Sequence, residues 1–386
     1  LEKYRIPYSC QSIDDDDIQS VVKVLKADFI TQGPKVDEFE KKISEYLQSE
    51  YCISVNSATS ALHLACLALE LGENDILWTS PNSFVSSATC GLMCGANVDF
   101  VDIDPETYNM SIEALKIKLE NAKIKNALPK VVVPVHFAGQ SCDMKAVSNL
   151  SKQYGFKIIE DASHALGAKY MNERIGSSSY SDLTIFSFHP VKMITTGEGG
   201  IICTKTESLA KRIKLMRSHG ITRELEPSDD KDNGAWKYKQ MMLGYNYRLT
   251  DIQAALGISQ LKKLNTFIKR RKYLANRYDK ELSRLPVRLP FQSDHADSSF
   301  HLYPILIEDE AQARIEVFDK LRASGVGVNV HYIPIHTQPY FQKLGFKLGD
   351  FPVAEKYYSK CISLPLYQTM TDDQHNYVVD KLKELL

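Results

Sequence analysis

Between residues 50 and 204, seven short β-rich runs alternate with longer stretches whose apolar residues recur at helical spacing. The runs read CISV, DILWTS, NVDFVD, VVVPVH, KIIED, LTIFS and GGIICT. Consecutive strands joined by a helix lie parallel, because a crossover rather than a hairpin connects them. The alternation therefore predicts an α/β fold with about seven strands in one mostly parallel sheet and helices on both faces. Ser60 to Glu70 and Asp143 to Tyr154 have the length and spacing of amphipathic helices. The acidic run Asp14 to Asp17 opens another, since negative charge suits the N-terminal end of a helix.

Near Tyr245 the pattern changes. The stretch YNYRLTDIQAALGISQLKKL has Thr250 with Gln253 three residues on, the signature of a capping box opening a long helix. A chain of 386 residues exceeds what one core usually serves. Two domains are expected, residues 1–245 as a large α/β unit and residues 246–386 as a smaller α+β unit. The second holds FHLYPILI, a helix-like Ala311 to Ser324, VGVNVHYI and a terminal helix opened by Thr371 and Gln374. Arg284 to Asp297 is its expected surface loop.

With 47 basic and 48 acidic side chains the formal net charge is −1, so no overall field draws nucleic acid or an anionic membrane. A small-molecule partner fits that balance. The eight cysteines are scattered without a C-x-x-C pair, which speaks against a disulfide framework or a zinc ribbon and suits a reducing cytoplasm. No segment approaches the roughly 18 consecutive apolar residues of a membrane helix, and the charged LEKYRIPY lacks a secretory pattern. A soluble, cytoplasmic protein is expected.

In open α/β sheets a ligand sits beyond the carboxyl ends of the strands, so polar residues there carry most information. CISVNSATSALHLACLALELG reads as a strand, a small polar turn and a helix starting near Thr59 or Ser60, whose free amides and positive dipole end suit a phosphate. An ordinary capped helix has the same pattern. KIIED ends in Asp161, followed by Ala162, Ser163 and His164; an acid there can face a ligand cation, cap a helix or join a structural ion pair. LTIFSFHPVK supplies Ser187 and, five residues on, Lys192. In SFHPVKMITTGEGG the only other ionisable groups are His189 and Glu198, so Lys192 is either a reactive amine or a stem lying on apolar surface with its ammonium in water. In SPNSFVSSA, Phe84 follows a strand, where it covers a flat ring or joins the core.

One ligand asks for all of these together. Pyridoxal phosphate needs an anion site, a carboxylate opposite its pyridinium nitrogen, and a lysine to bind its aldehyde as a Schiff base. The order is phosphate turn, aromatic, Asp161, Ser187 and then Lys192, 31 residues after the aspartate.

The motifs NSATSAL, PNSFVSSA, EDASHALGA, SFHPVKMITTGEGG, GYNYRLTDIQAALG and HLYPI stand in the order of the DegT/DnrJ/EryC1/StrS family of sugar aminotransferases, which the chain resembles from about residue 4 to its C-terminus. The resemblance implies the type I aminotransferase fold. It implies that Lys192 forms the Schiff base, that Asp161 holds the pyridinium nitrogen, and that Phe84 and His164 lie against or beside the ring. It also implies that Ala58, Thr59 and Ser187 bind the cofactor phosphate, with Asn246 of GYNYR reaching it from the neighbouring subunit of a homodimer. Tyr8, Phe29 and Thr31 of FITQG, and His331 and Tyr332 of VHYIP, are implied contacts to a nucleotide-linked keto sugar.

Within the family, GVGVNVHYIPIHTQPYF, NSATSAL and HLYPI most resemble the branch that serves pseudaminic acid biosynthesis. That branch implies a UDP-linked 4-keto-6-deoxy sugar aminated at C4, with L-glutamate as donor and 2-oxoglutarate as by-product. A dehydratase of the same fold replaces the lysine by histidine, whereas Lys192 is present. A silent sugar-nucleotide binder is expected to have lost Asp161 or Lys192, and both remain. His331 and His336 suggest no metal site, because Pro334 rules out a helical pair and no acidic ligand adjoins them in sequence.

Overall fold

The computed structural model describes residues 5–223, 236–308 and 314–386. It begins with α1 (Asp15–Leu25) and α2 (Pro34–Leu47). Asp14 and Asp17 form a reciprocal capping box at the start of α1, as the acidic run implied. Pro34 starts α2, where the missing N–H costs nothing. The α/β repeat follows: β1 (Tyr51–Val55), α3 (Ala58–Ala68), β2 (Ile76–Thr79), α4 (Ser86–Met93), β3 (Asn97–Phe100), α5 (Ile112–Ile124), β4 (Val131–Val133), α6 (Met144–Tyr154) and β5 (Lys157–Asp161). A short ribbon, β6 (Lys169–Tyr170) with β7 (Glu173–Arg174), precedes β8 (Leu183–Ser187) and β9 (Gly200–Thr204).

The large sheet has seven strands in the order β1-β9-β8-β5-β4-β2-β3. Neighbours are parallel except around β9, which runs against both β1 and β8. This is the type I aminotransferase fold, with a mostly parallel sheet flanked by helices on both faces. Side chains alternate between two cores, as a pleated strand covered on both sides requires. In β4, Val131 and Val133 enter the core beneath α3, while Val132 enters the core beneath α2, α5 and α6. Strand β4 is short because Pro134 follows and has no amide to continue the ladder.

After β9 come α7 (Glu207–Arg217), the ribbon β10 (Ile221–Thr222) with β11 (Lys239–Gln240), and α8 (Asp251–Leu261). The capping box of Thr250 and Gln253 is present. The long helix expected behind it is two, because the chain tightens into i→i−3 bonds at Lys262 and Lys263 before α9 (Leu264–Leu282) begins. Lys263 then reaches back to Asp14 and Asp17 at 2.7 and 2.6 Å. Leu249, Ala254, Ile258, Leu264 and Phe267 belong to a core of the large sheet, whereas Leu274, Tyr278 and Leu282 belong to the core of the C-terminal part. The residue pair 245/246 thus precedes a helix packed on the large sheet.

The C-terminal part contains β12 (Val287–Arg288), β13 (Ala296–Asp297), β14 (Tyr303–Ile307), α10 (Arg314–Ala323), α11 (Pro339–Gln342), α12 (Pro352–Lys360), β15 (Cys361–Leu364) and α13 (Asp372–Leu385). Strands β12, β14 and β15 form a small antiparallel sheet. Arg284 to Asp297, expected as a loop, carries β12 and β13, and β13 pairs with β6 of the large unit. The helix expected from Ala311 is described from Arg314 on, and residues 311–313 lie outside the described residues. VGVNVHYI is extended but joins no strand, making only isolated bridges such as Asn329 to Ser363.

Where β9 begins, the sheet touches the turn before α3. A Cβ added at Gly200 would stand 2.6 Å from the Ser57 carbonyl oxygen and 2.7 Å from the Ala58 nitrogen, both backbone atoms that cannot step aside. Gly200→Ala should therefore cost ~2 kcal/mol, the usual scale of overpacking, and displace the start of α3. Thermal melting and phosphate-ester binding should both weaken; an unchanged melting temperature and affinity would refute the close approach.

Candidate active site

The carboxyl ends of β1, β2, β5 and β8 and the start of antiparallel β9 meet at one edge of the large sheet. A cavity of about 560 Å³ opens there, closed on the far side by residues 329–332 of the C-terminal part. Of the thirteen site residues expected from the sequence, ten line it: Tyr8, Ala58, Thr59, Phe84, Asp161, His164, Ser187, Lys192, His331 and Tyr332. Phe84 is 58% exposed and is not core.

Three expected residues lie elsewhere in this chain. Phe29 is exposed and borders a separate cavity of about 450 Å³ between α1, α2 and α8. Thr31 forms an isolated bridge with Thr250. Asn246 is exposed and bridges Ser218. The resemblance implied Phe29 and Thr31 as sugar-nucleotide contacts and Asn246 as a contact to the neighbouring subunit's cofactor; none of the three lines the cavity of its own chain.

At one end of the cavity stands the first turn of α3. Ser57 is its N-cap and its side chain accepts from the Ser60 amide at 3.1 Å, so the helix starts at Ala58, just ahead of the expected position. The amides of Ala58 and Thr59 precede any intrahelical acceptor, and both residues line the cavity. They and the dipole of an eleven-residue helix form an anion site.

Asp161 ends β5 and is only 4% exposed. Its Oδ2 accepts from the Ser87 hydroxyl at 2.6 Å and its Oδ1 from the Ser163 amide at 3.1 Å. Ser87 in turn shares a hydrogen bond with Ser83 at 2.7 Å. Sequence reasoning missed both serines, although SPNSFVSSA puts them at helical i, i+4 spacing.

Lys192 sits in the turn after β8, its backbone amide donating to the His189 carbonyl at 2.9 Å. Burial pushes its ammonium down to about 8 from an ordinary 10.5, opposed by the Asp161 charge. An amine so held is a nucleophile and a proton carrier near neutral pH.

The opposite wall is aromatic and uncharged. His164 Nε2 and the Tyr332 hydroxyl share a hydrogen bond of 3.1 Å. Burial, then the Lys192 charge, keeps His164 well below the ordinary histidine range and His331 at about 3. His331 Nδ1 bonds the Ser363 hydroxyl at 2.8 Å. Burial and then the Asp161 charge push the Tyr332 phenol up, so it stays protonated. Ser57, Ser163, His189, Glu198, His301 and Asn329 also line the cavity and carried no sequence assignment. His336 lies apart, bonded to Glu355 at 2.8 Å. Among the described residues no three His, Cys, Asp or Glu side chains gather as a metal site, and no helix is long and apolar enough to cross a membrane.

The model of the DegT/DnrJ/EryC1/StrS aminotransferase family matches residues 11–383. The chain belongs to that family. The aminotransferase is 41% identical over 385 residues to the UDP-4-amino-4,6-dideoxy-N-acetyl-beta-L-altrosamine transaminase of Campylobacter jejuni, covering 99% of this chain and 97% of that relative. Its fold matches a Helicobacter pylori aminotransferase involved in the biosynthesis of pseudoaminic acid, with a TM-score of 0.89, 31% identity and 98% coverage of each chain. It equally matches a Streptococcus pneumoniae protein assigned as a sugar aminotransferase and solved in its PMP form, with a TM-score of 0.89, 29% identity and 99% coverage of each chain.

Pyridoxal 5'-phosphate is the cofactor of the aminotransferase, and its reaction is amino transfer on nucleotide-linked keto sugars. The cavity fits that cofactor, since its lining brings together the free amides of Ala58 and Thr59 for a phosphate, the buried Asp161 carboxylate and the Lys192 amine. Because Lys192 titrates at about 8, covalent capture of pyridoxal phosphate by the apoprotein should quicken as pH rises toward 8 and level off above it. Asp161→Asn removes the charge that favours the ammonium, so its midpoint should fall lower. Stopped-flow absorbance checks both, and a midpoint in the ordinary lysine range would refute the burial argument.

Proposed function

We propose that the enzyme moves an amino group from L-glutamate to C4 of UDP-2-acetamido-2,6-dideoxy-β-L-arabino-hexos-4-ulose, a step of pseudaminic acid biosynthesis. The observation that supports amino transfer is one cavity bearing Lys192, Asp161 and the free α3 amides together. The choice of sugar is supported by the Campylobacter jejuni relative, which aligns over nearly the whole of both chains.

In this reading the Ala58 and Thr59 amides and the Ser187 hydroxyl hold the cofactor phosphate. Asp161, fixed by Ser87 and Ser163, faces the pyridinium nitrogen. Phe84 and His164 flank the ring. The bound cofactor supplies an electron sink for a carbanion and a carrier for the amino group. Lys192 would do the remaining work: its amine would hold the cofactor aldehyde, take the α-proton of glutamate and, in the second half, deliver a proton to C4 of the sugar. Tyr8, His331 and Tyr332 border the space left for the sugar nucleotide. Asn246, with Phe29 and Thr31, lies outside this cavity and is assigned to the cavity of a second subunit.

A site built to hydrogen-bond a hydroxyl rejects the epimer that moves it, by up to ~10⁴-fold. The enzyme should accordingly show a higher kcat/KM for the β-L-arabino substrate than for UDP-2-acetamido-2,6-dideoxy-α-D-xylo-hexos-4-ulose. Product NMR and competition kinetics measure this, and preference for the D-xylo epimer would overturn the choice of sugar while leaving amino transfer intact.

The cross-subunit reading has its own test. Lys192→Ala and Asn246→Asp chains are each expected to be inactive. A hybrid dimer of the two holds one site free of both changes. Co-refolded mixtures should regain activity toward a quarter of the wild-type level, estimated as half of the roughly one-in-two hybrids that random pairing gives. Hybrids seen by native mass spectrometry without any regained activity would place Asn246 in its own chain's site.

A further inference from the structure

His301 opens the HLYPI motif and is the member of the uncharged wall to which no role was assigned. It lies against His164 with ring centroids 4.4 Å apart and is only 3% exposed. Its backbone is pinned from two directions. Arg271, itself buried, donates through Nη1 to the carbonyls of Phe300 and His301 at 3.3 and 3.2 Å. From the large unit, Leu302 N donates to the Ala138 carbonyl at 3.3 Å and Ser299 N to the Gly139 carbonyl at 3.1 Å. Gly139 leaves room for this contact, since a Cβ there would stand 3.0 Å from the His301 nitrogen.

Phe300, immediately before it, has φ of +50°, a left-handed backbone that a phenylalanine rarely adopts. Conformations of this kind persist only where the surroundings hold them, and they gather at functional sites. Here the strained residue turns the next side chain into the cavity.

The protonation of His301 follows from its surroundings. Its Nδ1 is fully buried with no hydrogen-bond partner. A bare lone pair is tolerated there more readily than an unpaired N–H, which puts the ring proton on Nε2. Burial, then the proximity of the titratable His164 and of Lys192, holds the ring well below 6.5 and so neutral. No hydrogen bond within the described residues uses Nε2, which is left to face the cavity.

We propose that His301 is a substrate-orienting residue whose Nε2–H donates to a neutral oxygen of the keto sugar and not to the amino-acid donor. The carboxylates of an amino acid call for a cation, and Lys192 is the one lysine or arginine lining the cavity among the described residues. A sugar hydroxyl or carbonyl is matched by a neutral N–H. The assignment rests on the amino-transfer reading above.

The two half-reactions separate the two ideas. Wild-type enzyme loaded with pyridoxal phosphate is mixed with L-glutamate, and the pyridoxamine form with the keto sugar, each followed by absorbance. Wild-type failure in either half strikes the functional reading. With wild type active, His301→Phe should keep the glutamate half within about threefold and lower kcat/KM for the sugar half by ~30- to 100-fold, the scale of one lost buried hydrogen bond. His301→Gln carries its amide nitrogen to the position of Nε2 and should stay within about fivefold of wild type. His301→Asn ends where Nδ1 sits and should behave like His301→Phe. The Asn and Gln pair decides the matter if the phenylalanine variant does not fold. The proposal is overturned if both halves fall together, if neither falls, or if Gln does no better than Asn.

Discussion

Withdrawing a lysine amine from water at the end of a strand is the constraint around which this site is arranged. The ammonium of Lys192 loses hydration, and the Asp161 charge offsets only part of that cost. Asp161 is itself buried and depends on the Ser87 hydroxyl and the Ser163 amide. Delivering these groups together requires β5 and β8 side by side, in the register that pairs Asp161 with Ile185. A slip of one residue would turn Asp161 to the other face of the sheet. It also requires α4 to lie over β2 and β3 with the Ser87 hydroxyl reaching Asp161, so the helix after Phe84 positions the carboxylate as well as covering the sheet.

The seven strands were legible because a two-sided sheet writes itself as apolar runs between helical periods. Boundaries were less so: proline cut β4 to three residues, and the Ser57 cap set the start of α3. Seven of the cavity residues were legible because they end or follow strands of the large sheet, whereas Tyr8, His331 and Tyr332 were reached only through the resemblance. The order of motifs along the chain does not say where a side chain points, which is why Phe29 and Thr31, implied as substrate contacts, lie outside the cavity of their own chain. His301 stands in the HLYPI motif, yet its place at the site was illegible for a different reason. It follows no strand of the large sheet, and its orientation comes from a left-handed Phe300 and a buried Arg271, neither of which has a sequence signature.

Along α9 the structure passes from one core to another without a linker. Its first turns complete the core shared with α2, and its last turns pack on the small sheet. Arg271 sits near that change, and its guanidinium also donates to the Leu366 carbonyl at 2.7 Å. A single buried cation therefore joins the helix to both the His301 segment and the strand exit after β15. Removing it would leave several carbonyls without a donor, a larger penalty than the loss of one bond.

The N-terminal segment adds a second tie across the same seam. Ile6 belongs to the core of the C-terminal part and exchanges backbone bonds with Gly325 and Gly327 at 3.1 and 2.7 Å. Three residues on, the Ser9 hydroxyl donates to the Val191 carbonyl at 3.3 Å, beside Lys192. Tyr8 between them meets the His331 ring at 5.8 Å. The segment that bears Tyr8 is thus a strap tied to the C-terminal part at one end and to the Lys192 turn at the other. A cavity that receives an amino acid and then a nucleotide sugar needs such a tie, because Lys192 and the neutral donors must hold their spacing while different molecules pass between them.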